Sequence, residues 1–202
     1  MKNWFLIASL LMCSVGAFAQ QEVGALTIQP KVGLNIANYK GTEGSDPRLG
    51  LAAGVELEYQ LTNRFSVSAG ALYSMQGSKD SRMDGGEKID MTIKTDYINV
   101  PVLVNFYVVK GLAVKACIQP AFNVKSDFVY TYDGKNVGGK LSEVGIDIKS
   151  FDLAVPMGLS YEYKNVVVDG RYNLGLMNIV DYEKDDTKNS VFQITVGYKF
   201  KL

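Results

Sequence analysis

The sequence contains no histidine. That removes the side chain most often used as a general base near neutral pH and the commonest metal ligand. Its serines therefore have no imidazole to activate them, and no Cys/His spacing suited to zinc exists. Cysteine is nearly absent too. Of Cys13 and Cys117, the first lies in a segment expected to be cleaved, so the mature chain is expected to hold one thiol and no disulfide. Neither sign of charge is in excess, with 21 Lys+Arg against 21 Asp+Glu, and no nucleic-acid partner is implied. Gly134, Gly138 and Gly139 do not make a phosphate loop, because no Gly-Lys-Ser/Thr and no helix follow them. Glu183, Asp185 and Asp186 read as a solvated acidic loop before they read as a cation site. No catalytic residue, cofactor or metal is expected.

Long apolar runs are also missing. Trp4–Val15 is too short for a membrane helix. With Lys2 before it and Ala17-Phe18-Ala19 after it, the run reads as an export signal over 1–19 rather than an anchor. Met12 before Cys13 weighs against a lipoprotein signal. Loss of Lys2 leaves 20 basic and 21 acidic residues, a mature charge of −1.

What remains, residues 20–202, is dominated by alternation. In Tyr97–Val108, Ile98, Val100, Val102, Val104, Phe106 and Val108 share one face; in Leu112–Lys125, Leu112, Val114, Ala116, Ile118, Phe122 and Val124 do the same. Period-two patterning over this length predicts a strand with one apolar face. Val109-Lys110-Gly111 between them predicts a three-residue hairpin loop with Gly111 at positive φ. That register sets Lys115 opposite Asn105. The same alternation recurs over Leu26–Asn38, Leu49–Gln60, Arg64–Gln76, Phe151–Tyr163, Val166–Asn178 and Ser190–Leu202, giving eight strands. Leu61-Thr62-Asn63 and Lys164-Asn165 are the other short turns, and the first of these would pair Tyr59 with Phe65. The remaining connections, among them Gly77–Lys94 and Ser126–Ser150, run to about nine residues or more and are read as polar loops, the second with room for short strand extensions. Eight antiparallel strands with short turns at one end and long loops at the other describe an all-β, up-and-down transmembrane β-barrel.

A soluble ligand-binding barrel also has eight strands, but its apolar face points inward. Two features favour the membrane. The polar face is rich in Gly, Ala and Ser (Gly33, Gly50, Gly54, Ser66, Ser68, Gly158), as a narrow lumen demands and open water does not. The aromatics of the apolar face gather towards strand ends, with Tyr59, Phe65, Phe106, Tyr161 and Tyr198 near the short turns and Tyr73, Phe122, Phe151 and Phe192 near the long loops. Two such girdles are what lipid interfaces select. Pro30, Pro101, Pro120 and Pro156 fall inside strands, where they are expected to mark bulges or strand ends.

Tyr97-Ile-Asn-Val-Pro-Val-Leu-Val104, Gly111-Leu-Ala-Val-Lys-Ala116, Phe151-Asp152, Val168-Asp-Gly-Arg-Tyr-Asn-Leu-Gly-Leu-Met-Asn178 and Gly197-Tyr-Lys-Phe200 together resemble the PorT-like outer-membrane β-barrel family. The resemblance spans the mature chain. It implies the outer membrane, with lipid and the barrel-assembly machinery as partners. One branch of that family is tied to a secretion system.

The alternation points ten charged side chains inward. They are Lys31, Glu56, Glu58, Arg64, Lys115, Asp152, Glu162, Asp169, Arg171 and Lys199. Across Lys164-Asn165, Asp169 should face Ser160, and Arg171 should face Gly158. Charges in a confined lumen must pair or stay hydrated. The expected reading is a stabilising network built on Glu56, Glu58, Lys115, Asp152, Glu162, Asp169 and Arg171; the alternative is an ion path. A non-catalytic barrel acting on a protein partner through long extracellular loops is expected, with a small porin-like or secretion-associated role as the competing class.

Overall fold

The computed structural model describes residues 22–41, 45–84, 87–132, 135–180 and 187–202. The expected export signal, residues 1–19, and the acidic Glu183, Asp185 and Asp186 lie outside them.

Strands β1 (Leu26–Lys40), β2 (Asp46–Gln60) and β3 (Phe65–Asp84) are followed by β4 (Glu87–Asn99), β5 (Val102–Val109), β6 (Leu112–Tyr132) and β7 (Lys135–Lys140). A 3-10 turn, Leu141–Val144, leads to β8 (Phe151–Tyr163), β9 (Val166–Gly175), β10 (Lys188–Tyr198) and β11 (Phe200–Lys201). Every pairing is antiparallel, and β1 closes the ring by pairing with β10 and β11. β4 and β5 are one strand interrupted, since their register with β3 runs without slip from Leu72↔Asn99 to Ala69↔Val102. β10 and β11 are likewise one strand against β1, from Lys31↔Gly197 to Ile28↔Phe200. With β7 pairing only β6, the ring has eight strands.

The prolines sit at these interruptions. Proline has no N–H to give to a ladder. Pro101 separates β4 from β5; its carbonyl accepts the Gly70 N–H at 3.0 Å, and the Val100 N–H reaches the Pro120 carbonyl at 2.8 Å. Pro30 falls in the gap of the seam between Lys31↔Gly197 and Ile28↔Phe200, where the Lys199 N–H meets the Asn165 carbonyl of the neighbouring turn at 2.8 Å. Pro156 falls in the gap of the β6–β8 ladder between Ala116↔Met157 and Gln119↔Ala154. In each case pairing lapses while the register carries on. The register does shift at Val124, between Tyr97↔Asn123 and Asp96↔Lys125, and along β2 between Pro47↔Ser78 and Ala52↔Ser74.

The turns fix the register. Lys164 and Asn165 both have positive φ, 46° and 70°, the two-residue hairpin whose twist suits the flanking strands. Gly111 has φ +80°. Lys115 does face Asn105, but next to the turn the ladder slips past Val108, so Val109 rather than Val108 pairs with Leu112. The first short turn differs from expectation. It takes in Leu61–Arg64, because the Thr62 hydroxyl accepts the N–H groups of Arg64 (3.2 Å) and Phe65 (3.0 Å). Tyr59 therefore pairs with Val67, and Phe65 with Phe106, their rings 5.0 Å apart. Arg64, expected in the lumen, sits in the turn and is exposed.

Alternation resolves into an apolar outside and a polar inside. Leu34, Leu49 and Leu159 are more than half exposed on the outer surface, while Asn35, Glu56 and Ser66 are buried within. This is the inverse of a soluble barrel. Tyr198 and Phe200 at the short-turn end (rings 4.8 Å apart) and Phe122 and Phe151 towards the long-loop end (5.6 Å) flank the belt of Val, Leu and Ile.

A further difference from expectation is at the long-loop end. Gly77–Lys94 is not a loop. β3 and β4 continue as a paired hairpin to Asp84↔Glu87, and β6 runs beside β4 to Ile89↔Tyr132. β7 adds to β6 from Asp127↔Lys140 to Tyr132↔Lys135. A four-stranded sheet, β3-β4-β6-β7, thus rises above the ring.

Candidate functional site

Four strands drive charged side chains into the middle of the lumen. Lys31 of β1, Glu56 of β2, Lys115 of β6 and the pair Asp169 and Arg171 of β9 are all buried there. Glu56 receives Lys31 at 2.7 Å on Oε2, Lys115 at 3.3 Å on Oε1 and Arg171 at 3.2 Å on Oε2. Asp169 receives Arg171 in a fork, with Nε to Oδ1 at 2.8 Å and Nη2 to Oδ2 at 2.9 Å. It also receives Lys115 at 3.3 Å and Lys31 at 4.0 Å. Arg171 stands opposite Gly158 across the β8–β9 pair. A Cβ on Gly158 would lie 2.7 Å from the Arg171 Cβ, so the absent side chain is what admits the guanidinium.

A second cluster lies nearer the short turns. Lys199 bridges Glu58 at 2.9 Å and Glu162 at 2.8 Å. Glu58 Oε1 also accepts the hydroxyls of Tyr107 (2.5 Å) and Ser66 (2.7 Å). The first cluster has three cations and two carboxylates, the second one cation and two carboxylates. Together they are formally neutral, four against four. In low dielectric, opposite charges at these distances attract strongly and offset the cost of leaving water.

Six of the seven network residues expected from sequence fall into these clusters: Glu56, Lys115, Asp169 and Arg171 in one, Glu58 and Glu162 in the other. Asp152 does not join them. It is buried higher in the lumen, where it accepts the Asn189 side-chain amide at 2.8 Å and the Leu153 N–H at 2.7 Å. Tyr107 and Ser66 were missed, although the alternation puts both on the polar face. Also missed was a further layer towards the long loops. There Arg48 lies 3.7 Å from Asp96 and donates to the Gln76 carbonyl, Tyr73 donates to Asp96 at 2.6 Å, and the Tyr39 and Thr95 hydroxyls meet at 2.9 Å. Arg48 and Asp96 stand just beyond the apolar runs that marked the strands, so alternation gave no sign of them.

Above that layer, the raised sheet keeps two unlike faces. Thr95 and Tyr97 of β4 are fully buried in the lumen, and continuing their alternation brings Ile93, Met91 and Ile89 to the same side. Their partners on β6 are Phe128, Tyr130 and Tyr132, and Val137 of β7 lies against Tyr130. The other face carries Lys94, Thr92, Asp90, Asp127, Val129 and Thr131. On β3 the partners of Ile93 and Met91 are Ser78 and Asp80, so the apolar side beyond the girdles is a strip made by β4, β6 and Val137.

Residues 18–181 match the family described as outer membrane protein beta-barrel domain. The chain belongs to that family. Its apolar belt is accordingly housed in the outer membrane. No curated protein sequence matches the chain. Among solved structures, Ail, the attachment invasion locus protein of Yersinia pestis, is similar at 16% identity with a TM-score of 0.52, covering 89% of this chain and 100% of Ail. Neisserial surface protein A is similar at 14% identity with a TM-score of 0.50, covering 88% of this chain and 99% of its own. At such identities the shared property is the fold, an up-and-down barrel of eight strands.

Proposed function

We propose that this outer-membrane barrel performs no catalysis and conducts no ions, and that it is a plugged anchor holding the raised β3-β4-β6-β7 sheet at the cell surface to meet another protein. The observation that carries the reading is the cluster around Glu56 and Asp169, in which side chains from β1, β2, β6 and β9 meet across the lumen. An eight-stranded ring is only wide enough for side chains to fill, and here they pair with one another. The long-loop end faces outward on this reading, as connection lengths in outer-membrane barrels favour. Export uses residues 1–19, and insertion uses the barrel-assembly machinery. The PorT-like pieces around Tyr97–Val104 and Val168–Asn178 support a place among the PorT-like barrels of the family.

The test has two arms. Purified protein in a planar bilayer should give no steady conductance steps, and a tag at Gly85-Gly86 should be labelled on intact cells while one at Lys164-Asn165 should not. Reproducible ion-selective steps that change in Glu56→Gln would replace this reading with transport. Labelling at Lys164-Asn165 alone would invert the orientation.

A further inference from the structure

The raised sheet ends in an edge. β7 pairs with β6 and, among the described residues, with no other strand. Antiparallel strands direct successive backbone N–H and C=O groups alternately to one neighbour and to the other. About half of the backbone groups of β7 thus face away from the sheet, in the condition that proteins otherwise cover, bulge or twist away. β7 has no proline and carries Gly138-Gly139, so its backbone is open to close approach from Lys135 to Gly139; at its end the Lys140 N–H already meets the Glu143 carboxylate at 3.4 Å. Its only large apolar side chain, Val137, is 64% exposed.

We propose that β7 takes up an extended segment of a partner protein as a fifth, antiparallel strand, and that the segment reads, from N- to C-terminus, aromatic, any, aliphatic, any, acidic. This rests on the reading that the long-loop end is the surface of interaction, and names the partner's chemistry. The pattern follows from the apolar face. There β7 presents Gly139, Val137 and Lys135 in turn, beside Phe128, Tyr130 and Tyr132 of β6. Where Gly139 lacks a Cβ, the Phe128 ring lies 3.3 Å away and the Glu143 carboxylate 2.9 Å away, so a partner side chain opposite Gly139 meets that ring with the carboxylate at its margin. An aromatic residue fills such a gap beside a strand glycine. Opposite Val137, an aliphatic residue makes a cross-strand pair. Opposite Lys135, a carboxylate is favoured and a cation is opposed. A second copy of this chain is a poorer occupant, because Lys135–Lys140 carries two lysines and no acidic residue. Strand addition draws affinity from main-chain hydrogen bonds and selectivity from alternate side chains.

The probe is a fluorescent, end-blocked peptide, Ser-Phe-Thr-Val-Thr-Asp-Ser, titrated onto the full chain in lipid nanodiscs. Saturable binding is expected, with the scrambled peptide weaker by about tenfold or more. Lys135→Glu should weaken binding about tenfold, and exchanging the peptide's Asp for Lys should restore it to that variant. Methylating alternate peptide amides on one edge should abolish binding, since it removes the N–H groups that would pair with β7. Heat-modified mobility on gels confirms that each variant is a folded barrel. No binding by the folded wild type, or equal binding of scrambled and methylated peptides, overturns the proposal. So does concentration-dependent dimerisation that the peptide does not compete with, which would assign the edge to a second copy. If the peptide fails while Gly85-Gly86 stays reachable on cells and the bilayer stays silent, only this inference falls. If Gly85-Gly86 is unreachable, the reading beneath it falls.

Discussion

Arg171 grips Asp169 from two residues along the same strand, both Nε and Nη2 engaged at 2.8 and 2.9 Å, while its Nη2 also reaches Glu56 on β2 at 3.2 Å. One guanidinium therefore joins β9 to a strand across the lumen. Arg171→Ala leaves Asp169 and Glu56 sharing Lys31 and Lys115 alone. The expected loss is about 3–5 kcal/mol, the range for breaking a buried pair from one side, read as a lower urea midpoint in detergent or bilayer. Arg171→Lys should recover only part of it, because a lysine has no fork to offer Asp169. An unchanged midpoint in Arg171→Ala would show that the carboxylates need no guanidinium.

Gly158 makes the space that Arg171 occupies. Gly158→Val brings a branched side chain into the Arg171 Cβ and the facing Gly170 carbonyl. The expected cost is about 1–3 kcal/mol, as for an overpacked interior. Gly170, across the same pair, meets nothing within 4 Å at its Cβ position, so Gly170→Ala serves as the control and should leave the urea midpoint in place.

The Lys164-Asn165 turn depends on two residues at positive φ. Asn165→Val places a β-branched residue at φ 70° and removes the amide that donates to the Lys199 carbonyl at 3.0 Å. Roughly 1–2 kcal/mol should be lost from the backbone strain alone. Refolding into vesicles, followed by the heat-modified gel shift, should slow or become incomplete.

Ile194 lies in the apolar belt between Leu34 and Gly170, flanked along its strand by Phe192 and Tyr198. Ile194→Arg should cost about 2–4 kcal/mol, as a charge near the middle of a bilayer does on a barrel's lipid face. Thr195→Arg, one residue on, points into the lumen instead and adds a cation beside Asp169, its pairing partner on β9. Only Ile194→Arg should be relieved by bilayers of shorter acyl chains, because only that side chain gains by reaching an interface sooner.

Much of this architecture was legible because a strand between lipid and a filled lumen imposes a strict two-residue period. Leu26–Asn38 and Phe151–Tyr163 declare both their length and their faces that way. The Lys164-Asn165 register was legible because a two-residue turn leaves no freedom, so Arg171 opposite Gly158 followed. Tyr59 against Phe65 is not secured by the sequence, since the Thr62 hydroxyl draws Arg64 into that turn and the pairing moves by two residues, to Val67. The raised hairpin was hidden by composition: Ile89, Met91 and Ile93 alternate among so many polar residues that Gly77–Lys94 reads as a loop. Alternation also says that a side chain points inward without saying which strand it meets. That is why the sequence groups Asp152 with Arg171; Arg48 and Asp96 lie beyond the apolar runs, where alternation gives no sign of either.

The cluster around Glu56 draws on the first strand through Lys31 and on β9 through Asp169 and Arg171, so it is incomplete until β1 meets β10. During assembly, a partly zipped sheet holds carboxylates and cations that have not yet met, and the final seam completes the set. Closure therefore gains from the whole constellation at once rather than from the hydrogen bonds of the seam alone. The lumen charges act as a latch with proofreading: a chain that joins its first and last strands out of register misaligns the constellation and forfeits the energy that would hold the mistake in place.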